Sequence, residues 1–368
     1  LQNQALELLP EEELDRIIPT PISTRKNSGQ VEISGRTFVS HAPELSSEAD
    51  FLIEAFQPIV GTKLRSEDGS AKDPLAITLS TGNLRISGRI RRAGSEAYRL
   101  TIHPSSGIQI IGTDPSGVFY GIQTLRAWLP VSAFEGVSGS VSVDVARIED
   151  MPRFQYRGMH LDVGRNFQAK ETVLRLLDLM SFYKLNRFHF HITDDEGWRL
   201  EIPSLPELTE FGSKRGHTET ETDHLFPSFG SGPYPDPALS PGSGHYTRDE
   251  FVEILRYAHE RHIEVIPEID VPGHARAAIR AMQIRQSRLM EQGEKDRAEE
   301  FLLNEPEDNS QYTSIQGWDD NVINVCQDSS YQFLATVVHE IGEMYQDAGA
   351  PLTTIHTGGD EVPHGVWE

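Results

Sequence analysis

The stretch that decides the fold is RFHFHIT, residues 187–193, in which apolar residues alternate with polar ones as in a half-buried strand. Comparable short strand patterns occur at 158–163, 263–269 and 353–357, with helical periodicity between them. Strands that alternate with helices form parallel βα units. The sequence therefore predicts four such units within residues 153–368.

Two of the helices in this region have a clear apolar face. Thr247 and Glu250 are spaced as a capping box at the start of the first helix. Its predicted core residues are Phe251, Ile254, Leu255 and Ala258. The second helix spans about 330–346 and is predicted to bury Leu334, Val337, Val338, Ile341 and Tyr345.

Residues 1–152 follow a different pattern. Short alternating segments at 31–34, 98–102 and 141–145 predict half-buried strands. One predicted helix covers 48–58, and another follows Asp114 with Phe119, Ile122, Leu125 and Trp128 on one face. We expect a small α+β domain with helices on an antiparallel sheet.

Composition excludes several classes of partner. The formal net charge of -23 would repel nucleic acids and anionic membranes, so a neutral or cationic substrate is expected. The single Cys326 excludes an intrachain disulfide and any cysteine-based metal site. We find no run of about 18 apolar residues and no signal peptide, which predicts that the sequence contains no membrane span.

Polar pairs follow each of the four predicted strands. Because the carboxyl ends of parallel strands meet at one face, we expect these side chains to form a site there. A long aperiodic stretch between residues 194 and 247 is predicted to line it. The pairs are Asp162 with Arg165, Asp194 with Asp195, Asp270 with His274, and Asp360 with Glu361.

Asp360 and Glu361 are the most informative pair, since they follow two glycines at the end of the last predicted strand. Adjacent carboxylates point in different directions, so one can protonate a leaving oxygen while the other serves another atom of the substrate. This arrangement favours acid–base chemistry on a bound ligand.

Two alternatives remain open from the residues alone. His189 and His191, with His274 and nearby carboxylates, would also suit a metal-dependent amidohydrolase or deacetylase. Against it, alternation puts both strand histidines on one face, where they can pack inside. The other alternative is a noncatalytic sugar-binding protein, which fold by itself does not exclude.

Four motifs together resemble the family-20 glycoside hydrolases in order and spacing. They are RGMHLDVGR (157–165), HFHITDDEGWR (189–199), PEIDVPGH (267–274) and GGDE (358–361). WRLEIP (198–203) and APLTT (350–354) are similar to bacterial chitobiases within that family. The resemblance covers about residue 17 to the end of the sequence.

The resemblance implies a small α+β domain followed by a (β/α)8 TIM barrel. It also implies a retaining exo-β-N-acetylhexosaminidase acting on chitobiose or chitooligosaccharides, without cofactor or metal. Glu361 would be the general acid and then base. Asp360 would orient the substrate's 2-acetamido group and stabilise an oxazolinium ion, since this family is a substrate-assisted exception to the two-carboxylate scheme.

The same resemblance assigns supporting roles. Arg165 would bind sugar hydroxyls, with Asp162 holding it in place. Asp194 and His274 would connect to Glu361 as a relay. Asp195 is expected to be a structural or helix-capping residue, and Trp198 is expected to pack rather than to bind sugar.

The number of predicted strands leads to a further expectation. A closed barrel of this class needs eight βα units, and only about the first four are predicted here. We expect a second polypeptide or a further segment of chain to complete the barrel. A periplasmic or secreted location is favoured by the resemblance alone.

Overall fold

The computed structural model of the protein describes residues 17–69, 73–86, 94–305 and 307–367. The first 16 residues of the predicted N-terminal domain lie outside this description. The described chain forms two compact units. The first contains residues 17–157 with Met180–Leu185 and Glu260–His262, and the second contains the remainder.

The first unit contains a seven-stranded sheet in the order β1-β7-β5-β6-β4-β2-β3. Its strands are β1 (Ser23–Ser34), β2 (Phe38–His41), β3 (Arg65–Asp68), β4 (Ala76–Thr81), β5 (Tyr98–His103), β6 (Gly107–Gly112) and β7 (Ser140–Asp150). Its helices are α1 (Ser46–Val60) and α2 (Pro115–Trp128), with short 3-10 turns at Pro43–Leu45 and Val131–Phe134. These elements confirm the predicted strands and both predicted helices.

The prediction of an antiparallel sheet is wrong for half of this unit. β2 pairs in parallel with β3 and β4, and β4 pairs in parallel with β6. Among the described residues of this unit, antiparallel pairs are formed only by β1, β5, β6 and β7. The reason is that α1 connects β2 to β3, and a helical crossover returns the chain in the same direction.

Side chains of both helices form the core of the first unit with the sheet. Leu52 and Phe56 of α1 and Leu125 of α2 are fully buried against strand residues such as Leu100 and Ile110. Burying an aliphatic or aromatic side chain contributes about 1.5–3 kcal/mol. The stripe predicted on α2 therefore stabilises this unit, although Trp128 is only partly buried.

The second unit is built around a parallel sheet in the order β12-β9-β8. Its strands are β8 (Gly158–Asp162), β9 (Arg187–His191), β10 (Thr193–Asp194), β11 (Gly197–Trp198) and β12 (Glu264–Glu268). Its helices are α3 (Lys170–Phe182), α4 (Glu207–Glu210), α5 (Arg248–His259), α6 (Arg276–Glu291), α7 (Lys295–Glu299) and α8 (Asp328–Ala348). The first three predicted strands are confirmed as β8, β9 and β12.

The fourth predicted strand, 353–357, is not formed. His356 makes an isolated parallel bridge to Glu268, with backbone hydrogen bonds to Pro267 and Ile269. Before it, the hydroxyls of Thr353 and Thr354 donate to the Glu264 carboxylate. The segment thus lies beside β12, but a single bridge is too short to count as a strand.

The helix predictions hold with one correction. At the start of α5, Thr247 and Glu250 exchange the backbone-to-side-chain hydrogen bonds of a capping box, at 3.0 and 3.2 Å. On α8 the buried face includes Phe333, Val337 and Ile341, whereas Val338 is 40% exposed. The buried face of α8 therefore includes Phe333, which was not predicted, and lacks Val338, which was.

Among the described helices, none combines the length and the apolarity that a membrane crossing requires.

Candidate active site

Three of the four predicted polar pairs lie at the carboxyl ends of the parallel strands, and the fourth, Asp360 with Glu361, follows the segment bridged at His356. Asp162 is the last residue of β8, Asp194 ends the short β10 that follows β9, and Asp270 stands two residues after β12. In the sheet register Asp162 pairs with His191, and His191 pairs with Glu268. The parallel register therefore places the ends of all three strands at one edge.

Three of the predicted site residues form a chain of ionisable groups. His274 Nδ1 lies 3.3 Å from Asp194 Oδ1, and His274 Nε2 lies 3.4 Å from Glu361 Oε2. Asp194 and His274 are buried, whereas Glu361 is partly exposed. Only the carboxyl group at the end of this chain is thus open to a ligand.

The buried groups determine the protonation states along this series of ionisable groups. Asp194 and Asp195 together raise the pKa of His274 to about 11, against the effect of burial. Burial would raise the pKa of Asp194, but His191 and His274 hold it below its usual value. At neutral pH His274 is therefore a cation, with the ionised Asp194 on one side and the carboxyl group of Glu361 on the other.

His274 and Glu361 share an uncommon backbone conformation. Their φ angles are 52° and 53°, in the left-handed region that residues other than glycine rarely adopt. Such a conformation costs about 1–3 kcal/mol and is concentrated at functional sites. The surrounding structure therefore stabilises an unfavourable backbone conformation at both residues whose side chains meet, His274 and Glu361.

Arg165 is held by carboxylates on several sides. Its Nη1 lies 3.0 Å from Asp162 Oδ2 and 2.8 Å from Asp194 Oδ2, and its Nε lies 3.7 Å from Glu196 Oε2. Its backbone N–H also donates to Asp162, at 3.1 Å. Asp162 therefore orients Arg165 through both main chain and side chain, and the guanidinium keeps further donors for a ligand.

Asp360 is exposed, and its immediate surroundings are acidic. One carboxylate oxygen of Asp360 lies within 4.8 Å of ligand atoms of Asp270 and His274. Burial, together with the charge of Asp360, raises the pKa of Asp270 to about 6, although the Gly359 N–H that donates to Asp270 at 3.1 Å lowers it. The pair Asp360 and Glu361 thus borders a buried carboxyl that sequence analysis placed at the site without a role.

Gly358 offers a prediction about the shape of this loop. It has φ of 60°, and a Cβ at this position would collide with the Asp270 carboxylate. We expect Gly358→Ala to destabilise the fold by more than the roughly 1–2 kcal/mol that left-handed backbone costs an alanine. Urea denaturation measures the effect.

Gly230→Ala is the matched control, because Gly230 has φ of 71° and no atom within 4 Å of an added Cβ. Gly230→Ala should lower the free energy of unfolding only by the amount that left-handed backbone costs an alanine. Equal losses of stability in the two variants would contradict the proposed close approach of Gly358 to Asp270.

Asp195 has the structural role that was predicted. Its carboxylate accepts the backbone N–H of Arg276, the first residue of α6, at 3.1 Å, and the side-chain amide of Asn321 at 3.0 Å. Trp198 also packs as predicted, since its ring is buried against Phe333 and its Nε1 donates to the Leu200 carbonyl.

Three site residues escaped the sequence analysis. Gln316 Nε2 donates to Glu361 Oε2 at 2.7 Å, and Trp318 Nε1 donates to Glu196 Oε1 at 3.4 Å. Burial, with Asp194 and Asp195, raises the pKa of Glu196 to about 7. Glu196 adjoins the predicted acidic pair and was within reach of the sequence analysis, whereas Gln316 and Trp318 lie in an aperiodic loop without any local signal.

The histidines of β9 do not meet His274 in the metal site that the alternative hydrolase would need. His189 and His191 each bond to Glu268, and His191 also bonds to Asp194 at 2.6 Å. Among the described residues, no cluster of potential metal ligands combines His274 with His189 or His191. The ligand set of that alternative hydrolase is thus not assembled.

Comparison with known proteins identifies the family of this chain. The sequence profile of the glycosyl hydrolase family 20 catalytic domain matches residues 154–368, and that of family 20 domain 2 matches residues 15–151. The chain belongs to glycosyl hydrolase family 20. The family's structures support a small N-terminal domain followed by a (β/α)8 barrel.

Relatives with assigned activities include two from Vibrio. A beta-hexosaminidase of Vibrio vulnificus is 42% identical over 356 residues, which are 95% of this chain and 38% of that protein. The N,N'-diacetylchitobiase of Vibrio harveyi is 40% identical over 348 residues, 94% of this chain and 37% of that protein.

Among solved structures, the family 20 exo-β-N-acetylglucosaminidase of Vibrio harveyi in complex with N-acetylglucosamine aligns with a TM-score of 0.76 and 33% identity. The alignment covers 96% of this chain and 48% of that one. The chain thus spans less than half the length of each of these three proteins.

Proposed function

We propose that this chain carries the catalytic carboxylates of a retaining exo-β-N-acetylhexosaminidase. The observation that carries the proposal is the position of His274, 3.3 Å from buried Asp194 and 3.4 Å from Glu361. Membership in family 20 and the named activities of the Vibrio relatives support it.

In this proposal Glu361 first protonates the glycosidic oxygen and later removes a proton from water. Negative charge develops on Glu361 as its proton leaves, and the His274 cation next to it stabilises that charge. An interaction that strengthens in the transition state lowers the barrier to reaction. Asp194 and Asp195 act by keeping His274 charged.

Asp360 would accept a hydrogen bond from the N–H of the 2-acetamido group and so turn its carbonyl towards the anomeric carbon. The carbonyl oxygen then displaces the leaving group and forms an oxazolinium ion, whose positive charge Asp360 stabilises. Water opens this ring from the opposite face. Two inversions give a product with the β configuration of the substrate.

We propose a terminal non-reducing N-acetylglucosamine as the substrate, in chitobiose or longer chitooligosaccharides. These sugars are neutral, which suits a protein of net charge -23. Arg165, fixed by Asp162 and Asp194, would donate hydrogen bonds to ring hydroxyls.

Replacement of the 2-acetamido group by a hydroxyl tests the mechanism. We expect a chromogenic glucoside to be essentially inert where the matched N-acetylglucosaminide is hydrolysed, because the nucleophile belongs to the substrate. Initial-rate assays compare the two substrates, and proton NMR identifies the first-formed anomer. Comparable rates, or an initial α product, would contradict substrate assistance.

The same assay separates the alternatives. Loss of hydrolysis on adding a chelator would favour a metal-dependent hydrolase, and binding without turnover would favour a noncatalytic sugar-binding protein. Chelator-resistant turnover of the N-acetylglucosaminide is the outcome expected of the proposed glycosidase.

We further propose that the barrel includes βα units beyond those predicted in this sequence, from a second polypeptide or a further segment. The exposed sheet residue Met159 on β8 and the single-bridged segment at His356 support this, as does the length of the relatives. Solution mass together with activity tests it. A folded, monomeric and active 41.2 kDa species would contradict it.

A further inference from the structure

Below the candidate active site, one buried carboxylate lies among four histidines. Glu268 is the last residue of β12 and is 4% exposed. The surrounding nitrogens, with their distances to a Glu268 oxygen, are His189 Nε2 at 2.7 Å, His191 Nδ1 at 2.8 Å, His356 Nδ1 at 3.0 Å and His160 Nε2 at 3.8 Å. The mechanism proposed above uses none of these contacts.

The sheet register accounts for the cluster. His160 of β8 pairs with His189 of β9, and His191 pairs with Glu268 of β12. Side chains at alternate positions of neighbouring strands point to the same face. The five residues thus converge because three parallel strands and the bridged segment at His356 place them on that face.

We propose that His160, His191 and Glu268 form a binding site for one divalent transition-metal ion of the zinc class. One ligand atom from each of the three lies within 4.8 Å of the other two. Two imidazoles and a carboxylate are a common ligand set for zinc, with water in the fourth position.

The distances between the ligand atoms fit such an ion. With bonds of about 2.0–2.1 Å, tetrahedral ligand atoms stand about 3.4 Å apart. The distances from Glu268 Oε2 are 2.8 Å to His191 and 3.8 Å to His160, on either side of that value. The ligand nitrogens of His160 and His191 lie within 4.8 Å of each other.

The surroundings of His191 also supply a carboxylate partner for its second ring nitrogen. Its other ring nitrogen, Nε2, lies 2.6 Å from Asp194 Oδ2, whose carboxylate is fully buried. A histidine ligand generally donates its second N–H to a carboxylate, which fixes the ring and makes the ligating nitrogen more basic. Asp194 is placed to do this.

The three proposed ligands differ in exposure. Among the described residues, the His160 side chain is 51% exposed, whereas those of His191 and Glu268 are nearly buried. Since the ion replaces a proton on the imidazole nitrogen, binding releases protons and strengthens as pH rises.

Metal binding, rather than glycoside hydrolysis, tests this proposal directly, although Asp194 is shared with the proposed catalytic mechanism. Protein freed of metal by a chelator is titrated with Zn²⁺ in a calorimeter, using wild type, His160→Gln and His339→Gln. His339 is the matched control, because it lies on α8 with its side chain 74% exposed. We expect a single saturable site that is weakened at least about tenfold in His160→Gln and unchanged in His339→Gln.

Two further measurements keep the proposal testable if a substitution disturbs folding, which circular dichroism reports. Co²⁺ bound to wild-type protein is expected to give the visible absorption of a nitrogen–oxygen site, displaced by Zn²⁺. In crystals soaked with Zn²⁺, an anomalous peak between His160, His191 and Glu268 would support the site. No saturable Zn²⁺ binding, equal affinity in wild type and His160→Gln, or a peak elsewhere would overturn it.

Discussion

Replacing Glu361 by glutamine is expected to lower kcat by about 10²–10⁴-fold, the usual contribution of a positioned general acid or base. The amide keeps the shape of the carboxyl group and can still accept the hydrogen bond from Gln316 Nε2. It cannot transfer the proton that the leaving oxygen needs. KM should therefore change little, because substrate binding does not depend on that proton.

The measurement is steady-state hydrolysis of a chromogenic N-acetylglucosaminide by the active enzyme. Leaving groups of low pKa need little protonation, so the loss should be smallest for nitrophenolates and largest for a sugar leaving group. Glu343→Gln, at an exposed position of α8, is the control for removal of a carboxylate. If Glu361→Gln hydrolyses a substrate with a sugar leaving group within about tenfold of wild type, Glu361 is not the acid.

Replacing Asp360 by asparagine is expected to weaken the binding of a cyclic thiazoline analogue of the oxazolinium intermediate. A hydrogen bond to a charged group contributes about 1.5–3 kcal/mol, which corresponds to roughly 10- to 150-fold in affinity. kcat on the acetamido substrate should fall with it, because the same contact orients the attacking carbonyl. Inhibition constants for wild type and variant measure this effect.

A simple sugar product that lacks the cyclic cation serves as the comparison ligand. Its affinity should change much less in Asp360→Asn, since no charge is lost opposite Asp360. Asp328→Asn, at the exposed start of α8, controls for the general effect of one less negative charge. Unchanged affinity for the thiazoline would remove Asp360 from its proposed role.

Local patterns in the sequence predicted much of the architecture. The capping box at Thr247, the apolar face of α5 and the alternation along β5 are set by residues within one turn or one strand. Strands β8, β9 and β12 were predicted for the same reason. The order of a small α+β domain and then a barrel was implied by the resemblance of the motifs to family 20 and is supported by the family match.

Longer-range features did not follow from local patterns. The parallel pairs of β2 with β3 and β4 depend on which strands the helical crossover brings together. The segment at 353–357 has the composition of a strand, yet it forms only a bridge at His356. Pairing needs a neighbouring backbone, which composition does not specify.

The sequence by itself determined which ionisable residues stand at the ends of β8, β9 and β12, because strand boundaries and motif spacing are local properties. Only the tertiary structure decided which atoms meet. His274 reaches Glu361 through two left-handed residues, Gln316 contacts Glu361 from 45 positions away, and Glu268 lies among histidines of neighbouring strands. These contacts arise from strand register and loop packing, which bring together groups that are distant in sequence.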